Sequence, residues 1–472
     1  MLACADLIVL GAGPAGLAAA WRAGRAGLST IVLERAGAVG GMAASFEVAG
    51  VRVDHGSHRL HPATPPAVLA DLRGLLGDDL QCRPRHGRLR VAGQWVGFPL
   101  RPGELLRALP PGMLGRITAD ALTEPLRRCY PLGRRPAPAS YAEALRTSLG
   151  ATLYDALYAP YAVKLWGLPG EQIDPEQARR RVSADTPWKI AHRMLRQRQR
   201  DSAPGRIFYY PRRGFGQIVD ALATAAVGAG AQLRLGTEVD RVCPGQDGVL
   251  VHTHCGQTLA ARHLFTTIPL PLLARIASPA PPRPATDAAA ALRFRSMVLV
   301  YLVHEGRPWT SFDAHYLPGP DTPVSRISEP ANYRESASDP DDRTVLCCEI
   351  PCQLGDRWWS AEDAALAAMV SRTLHRTGLP PVRITEVVTR RLRTVYPVYQ
   401  TGYAEHLTGL DAWASALPHV TTFGRLGLFV HDNTHHAIAM AYDAVHALQG
   451  GHWDATAWSA ARHRFTTHVV ED

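Results

Sequence analysis

Gly11, Gly13, Gly16 and Glu34 are the residues whose types and spacing point most directly to chemistry. A Gly-x-Gly-x-x-Gly run between an apolar strand and an Ala-rich helix suits the diphosphate of a dinucleotide. The first glycine makes the tight turn, the second lets backbone approach the phosphates, and the third lets helix pack on strand. The N–H groups of the helix's first turn have no partner inside it and sit at the positive end of its dipole, so they attract the diphosphate. Glu34 closes the next strand, where a carboxylate can accept both hydroxyls of a ribose. Farther on, Asp54-His55-Gly56-Ser57-His58-Arg59 crowds polar and imidazole groups around a turn. Taken alone, His58 reads as a hydrogen-bonded turn histidine. Tyr158, Tyr161 and Lys164 fall at helical spacing ahead of the Trp166-Gly167 break, a pattern that serves equally to line a pocket or to pack a helix corner. His431 and His435 stand four apart, with Asp432 after the first, which raises a metal site. A loop-to-helix junction is the preferred reading there, and no metal is expected.

Several elements must position these groups. Leu7-Ile-Val-Leu10 and Thr30-Ile-Val-Leu33 read as strands buried on both faces. Phe46–Val53 reads as a short hairpin, and Arg88–Val91 and Gln94–Phe98 as further strands. Ser140-Tyr-Ala-Glu143 is a capping-box start, and Pro131–Pro138 is a loop. A helix begins at Gln217, strands follow at 232–235 and 239–242, and Leu264–Pro269 ends that run. Met297–Val303 is a long apolar strand, beyond which residues 325–333 and 344–351 form a pair.

With 472 residues, 46% hydrophobic and 20% charged, the chain is a folded protein with room for more than one lobe. No apolar run reaches membrane-spanning length and no signal peptide is visible, so a cytoplasmic location is expected. Cys347, Cys348 and Cys352 cluster without a second liganding pair and read as small core residues. The net charge of +9 includes the basic run Arg193–Arg200, read as a solvated helix face; nucleic-acid binding is not expected. Lys164 and Lys189 are the two lysines among 51 basic residues.

The fingerprint, Glu34, Gly40-Gly41 and Asp54-x-Gly56-x-His58-Arg59 together resemble the FAD-binding region of the protoporphyrinogen oxidase, amine oxidase and UDP-galactopyranose mutase superfamily. Tyr161-x-x-Lys164-x-Trp166-Gly167-x-Pro169, the 325–351 pair and Phe423-Gly424-Arg425 with the helix after it extend the likeness over nearly the whole chain. Arg213 stands where the family's helix re-entry has its first glycine. The absence of lysine after Lys189 departs from amine oxidases, so the resemblance is closer to protoporphyrinogen-oxidase-like proteins.

The resemblance implies an α/β fold: a Rossmann-type FAD domain from residues 1–75, 205–285 and 396–472, with an α+β substrate domain from 76–204 and 286–395. It places FAD against Gly11, Gly13, Pro14, Ala15, Gly16, Glu34, Arg35, Gly40, Gly41 and Met42 in the first segment. Gly56, Ser57, His58, Arg59, Val239, Gly424, Arg425, His435, His436 and Ala437 complete the contacts. The activity it implies is oxidation of a small, anionic or sugar-like metabolite by hydride transfer to flavin N5, with oxygen or another acceptor taking the electrons. His58 or Lys164 is the nominee for proton acceptor. The alternative is a sugar-nucleotide mutase with no net redox change, in which Arg326, Tyr333, Tyr399 and Tyr403 grip a diphosphate.

Overall fold

The computed structural model describes residues 4–99, 103, 107–128, 137–181 and 207–470. The Arg193–Arg200 run, Lys189 and most of the Pro131–Pro138 loop lie outside the described residues.

Alternation along the first strand, Cys4–Leu10, explains the first layer. Leu7 and Val9 point into one apolar core, and Ile8 and Leu10 into another on the opposite face. The strand is hydrogen-bonded in parallel on both sides, to Thr30–Leu33 and to Thr258–Thr266. The full seven-stranded order runs Val239–Pro244, Val249–Thr253, Thr258–Thr266, Cys4–Leu10, Thr30–Leu33 and Gln232–Arg234. Val420–Thr422 joins beside Thr258–Thr266. The fingerprint helix Pro14–Arg25 packs on one face with helices Gln217–Gly228 and Thr434–Ala447. Ala-rich surfaces on the first two allow that close approach.

The second sheet is built around Phe294–Glu305, which pairs antiparallel with Arg343–Cys352 and Ile384–Pro397. Its order is Ile384–Pro397, Phe294–Glu305, Arg343–Cys352, Arg326–Ser328, Ala314–Tyr316, Gly87–Val91 and Gln94–Phe98. Val298, Val300 and Leu302 face the core under helix Asp363–Thr377. Met297, Leu299 and Tyr301 face the other way, toward the hairpin Ser45–Val48 and Val51–Asp54. The fold is therefore the expected mixed α/β architecture.

Local signals behave as their chemistry dictates. Ser140 caps helix Tyr141–Leu149 by accepting from the Glu143 N–H, while the Glu143 carboxylate reaches the Ala139 N–H one residue upstream. Cys347, Cys348 and Cys352 are buried thiols on strand Arg343–Cys352. Helix Arg283–Ala291 spans the expected 285–286 boundary, and Ala288, Ala289 and Leu292 bury in the core of the first sheet. Among the described residues no helix is long and apolar enough to cross a membrane.

Candidate functional site

A cavity of about 1740 Å³ begins at Glu34 and Val239, passes Gly11 and Gly13, and ends among His58, Arg326, Glu349 and Tyr396. Its first end is shaped by glycines. Gly11 has φ +100°, and a Cβ there would meet Thr267 Oγ1 at 2.6 Å. A Cβ on Gly16 would fall on the carbonyl oxygen of Gly11. Gly13, by contrast, has nothing within 4 Å of its Cβ position, so its backbone is open to a ligand. The helix that starts at Pro14 carries no side-chain cap. Glu34 Oε2 accepts from the Ala12 N–H and Oε1 from the Ala36 N–H, both at 2.9 Å, which fixes the carboxylate on the cavity wall. An open glycine, an uncapped helix start and a fixed carboxylate fit a diphosphate and ribose.

Pro14, Ala15, Arg35, Gly41, Met42 and Val239 line this end. Gly16 and Gly40 lie behind it. Gly16 serves helix-on-strand packing, and Gly40, at φ +107°, donates its N–H to Ala12 O at 2.7 Å. Gly56, Ser57, His58 and Arg59 reach the cavity, as do Gly424, Arg425 and Ala437. His435 and His436 do not: Thr434 and Ala437 share the cavity-facing side of their helix, and the two histidines between them turn away. His435 packs against His61, while His436 Nδ1 accepts from the Asn433 N–H and its ring stacks on His468. Burial brings their pKa values down to about 3 and about 2, so both are neutral. His431 sits apart, against Trp166 and Tyr399, so the His431/His435 spacing brings no pair together. Asp432, His436 and His468 do converge, with donor atoms within 4.8 Å.

At the far end, cross-strand register sets Arg326 opposite Glu349. Arg326 Nη2 donates to both oxygens of Glu349, at 2.7 and 2.9 Å, and Nε donates to Oε1 at 3.0 Å. Glu349 also accepts from the Ser57 N–H at 2.8 Å, which ties the Asp54–Arg59 turn to the second sheet. Burial works against the guanidinium's charge, but Glu349 prevails and holds its pKa well above the ordinary arginine value.

His58 stacks on Phe215 at 5.2 Å, and its Nε2 lies 3.1 Å from the His55 carbonyl, so Nε2 carries the proton and Nδ1 is left as the acceptor nitrogen. Burial pushes its pKa below the usual histidine value. Asp54 is an architectural knot off the cavity: its buried carboxylate accepts from Ser45, Tyr210 and the Phe215 N–H.

Three nominated catalytic residues sit elsewhere. Tyr333 is buried behind the wall, with its hydroxyl on Ser57 Oγ and its ring under Arg59. Tyr399 donates to the Phe429 carbonyl at 3.2 Å and stacks on Tyr403 at 4.1 Å, so neither ring reaches the cavity. Tyr396 lines it instead, with Trp166 edge-on at 5.5 Å and Arg425 over its ring. Lys164 is outside as well: its Nζ donates to the carbonyls of Leu317 and Val324. Burial brings its pKa down to about 7, yet it lines a separate cavity from the one that holds Gly13 and His58. Lys164→Met should therefore leave flavin content and flavin reduction unchanged while costing about 1–3 kcal/mol of stability through the two orphaned carbonyls. Absorbance spectra and a chemical melt measure both. Lost reduction with flavin retained would return Lys164 to the chemistry.

Glu349 and Tyr396 are the main residues that motif reading passes over. The register opposite Arg326 was a usable signal for Glu349, and the strand stop at Pro397, which leaves Tyr399 beyond the sheet, was one for Tyr396.

A nucleotide cradle on a mainly parallel sheet, opening beneath a second, mostly antiparallel sheet, defines a two-sheet dinucleotide-binding protein. The family model for flavin-containing amine oxidoreductases matches residues 14–430, and the chain belongs to that family. A Mycobacterium tuberculosis protein assigned as flavin-containing monoamine oxidase AofH is 30% identical over 283 residues, a match covering 58% of each chain. Reduced UDP-galactopyranose mutase superposes with a TM-score of 0.81 at 19% identity, over 99% of this chain and 100% of that one. A protein from Exiguobacterium assigned as protoporphyrinogen oxidase gives 0.72 at 18% identity, over 95% and 99%. Putrescine oxidase bound to putrescine gives 0.63 at 19%, over 93% and 97%. At these identities the structural likenesses speak for the fold.

Proposed function

We propose that the chain is an FAD-dependent oxidoreductase that oxidises a small, anionic or sugar-like metabolite by hydride transfer to flavin N5. One observation carries the reading: a single cavity joins the Gly13–Glu34 cradle to the wall formed by His58, Arg326, Glu349 and Tyr396. The cradle's ribose-binding carboxylate favours FAD over a mononucleotide. Bound there, the flavin supplies a two-electron acceptor. The backbone at Gly13 and the helix start hold its diphosphate, and Glu34 its ribose. Arg326, locked by Glu349, orients an anionic group of the substrate, while Met297 and Leu299 keep the reacting end apolar. His58 Nδ1, on the Asp54–Arg59 turn, is the proton acceptor. Arg85, Arg181, Arg391 and Arg393 add positive charge to the wall, which favours an anion over a protonated amine. We divide the chain as the resemblance implies, with the 285–286 boundary moved past Leu292, and place it in the cytoplasm, where its buried thiols stay reduced.

The same arginine-lined wall supports a second reading, isomerisation of a sugar nucleotide with no net redox change. Anaerobic mixing of the yellow protein with candidate anionic metabolites separates the two. Bleaching of the flavin by a metabolite is the expected result. Turnover that appears only after dithionite reduction would replace the oxidase with the mutase, and bleaching by amines alone would overturn the anionic assignment.

A further inference from the structure

A second cavity of about 780 Å³ lies between helix Ala159–Trp166, the 320–323 loop and helix Asp363–Thr377. Lys164, Arg295, Arg357, Arg372 and Arg376 all line it. Its carboxylates are already committed. Asp321 pairs with Arg90, and Asp356 caps its own loop by accepting N–H groups from Gln353, Trp358 and Trp359 at 2.8–2.9 Å. Among the described residues none of the five cations has a carboxylate within ion-pair distance.

Arg295 is the most exposing case. It is 8% accessible, its Nε has no hydrogen-bond partner among the described residues, and its Nη2 reaches only the carbonyls of Lys164 and Pro351, each at 3.4 Å. A buried guanidinium held by long carbonyl contacts is costly unless an anion joins it. Burial without a matching carboxylate lowers its pKa from the ordinary arginine value.

We propose that this cavity is a second ligand site, distinct from the flavin cavity, that binds a small molecule bearing a phosphoryl group. Arg and Lys side chains are donors without acceptors, so the occupant must be rich in acceptors and negative charge. A phosphoryl dianion meets several of the five cations at once, with the exposed Arg372 and Arg376 able to close on its oxygens. Trp358, with Arg357 stacked over it at 4.5 Å, and Met369 give the organic part of the ligand an apolar wall. The site connects to the flavin cavity through one helix, since Lys164 faces it and Trp166, half a turn on, packs against Tyr396.

Calorimetric titration of the flavin-loaded protein with pyrophosphate in chloride buffer tests the proposal, with Arg295→Met and Arg372→Glu as variants. Arg372 is exposed on its helix, so Arg372→Glu keeps the test decisive should Arg295→Met fail to fold. The expected result is saturable binding that Arg372→Glu weakens about ten-fold while the flavin spectrum stays unchanged. No binding to the parent protein, or unchanged affinity in every folded variant, overturns the site. Acetate binding as tightly as pyrophosphate overturns the phosphoryl assignment.

Discussion

Glu349→Ala is expected to destabilise the flavin-loaded protein by about 3–5 kcal/mol, the cost of stranding a buried charge. Glu349 is 4% exposed, and its two oxygens accept from Arg326 and from the Ser57 N–H. Removing it leaves a guanidinium whose side chain is only 16% exposed, with the Ser57 carbonyl, at 3.3 Å, as an acceptor that remains. Two consequences should appear together. The melting transition falls, and the Asp54–Arg59 turn, with one tie to the second sheet lost while Tyr301 still holds the Asp54 carbonyl, holds flavin less tightly. Glu349→Gln keeps an acceptor of the same shape and should lose less, because one amide oxygen can still take the Ser57 N–H. Chemical denaturation of both variants, with flavin absorbance followed in parallel, checks this. A loss below about 1 kcal/mol for Glu349→Ala would place the pair in the class of solvated surface ion pairs and remove its role as the anchor of Arg326.

What the sequence displayed was whatever short-range physics dictates. The cradle is written in one strand, one turn and one helix, and its carboxylate reaches back only from Glu34 to Ala12, so local spacing carried it. The hairpin at Phe46–Val53 and the strands of the second sheet followed from alternation in the same way. The far end of the cavity depends on contacts across the chain. Arg326 meets the turn at Ser57, and Lys164 finds its acceptors at Leu317 and Val324, pairings that no periodicity within either segment specifies. Lys164 near the Trp166-Gly167 break and Tyr399 therefore read as chemical from their surroundings in sequence, while packing assigns them elsewhere. His435 and His436 differ in kind from these. The 3.6-residue period that puts Thr434 and Ala437 on the cavity also turns the residues between them away, a placement that local periodicity alone specifies.

The glycine fingerprint itself can be split into a folding part and a binding part, and the split gives the last expectation. Gly16→Val should yield protein that folds poorly and carries no flavin. The obstacle is contact rather than backbone conformation: a Cβ at Gly16 would overlap the Gly11 carbonyl oxygen and stand 3.2 Å from Val9 Cγ1. The neighbour is backbone in a turn that itself needs positive φ, so the helix must lift off the strand, at a cost of about 3 kcal/mol or more. Gly13→Ala should behave oppositely. Gly13 has φ −78° and ψ −179°, which alanine adopts freely, and nothing lies within 4 Å of its Cβ position. Stability without flavin should stay within about 0.5 kcal/mol of the parent. The added methyl instead occupies space the diphosphate needs, so flavin content should drop sharply. Denaturation of flavin-stripped protein together with the flavin-to-protein absorbance ratio distinguishes the two. Gly13→Ala purified with a full complement of flavin would mean that the diphosphate does not lie against this glycine, and the cradle would have to be placed elsewhere along the cavity.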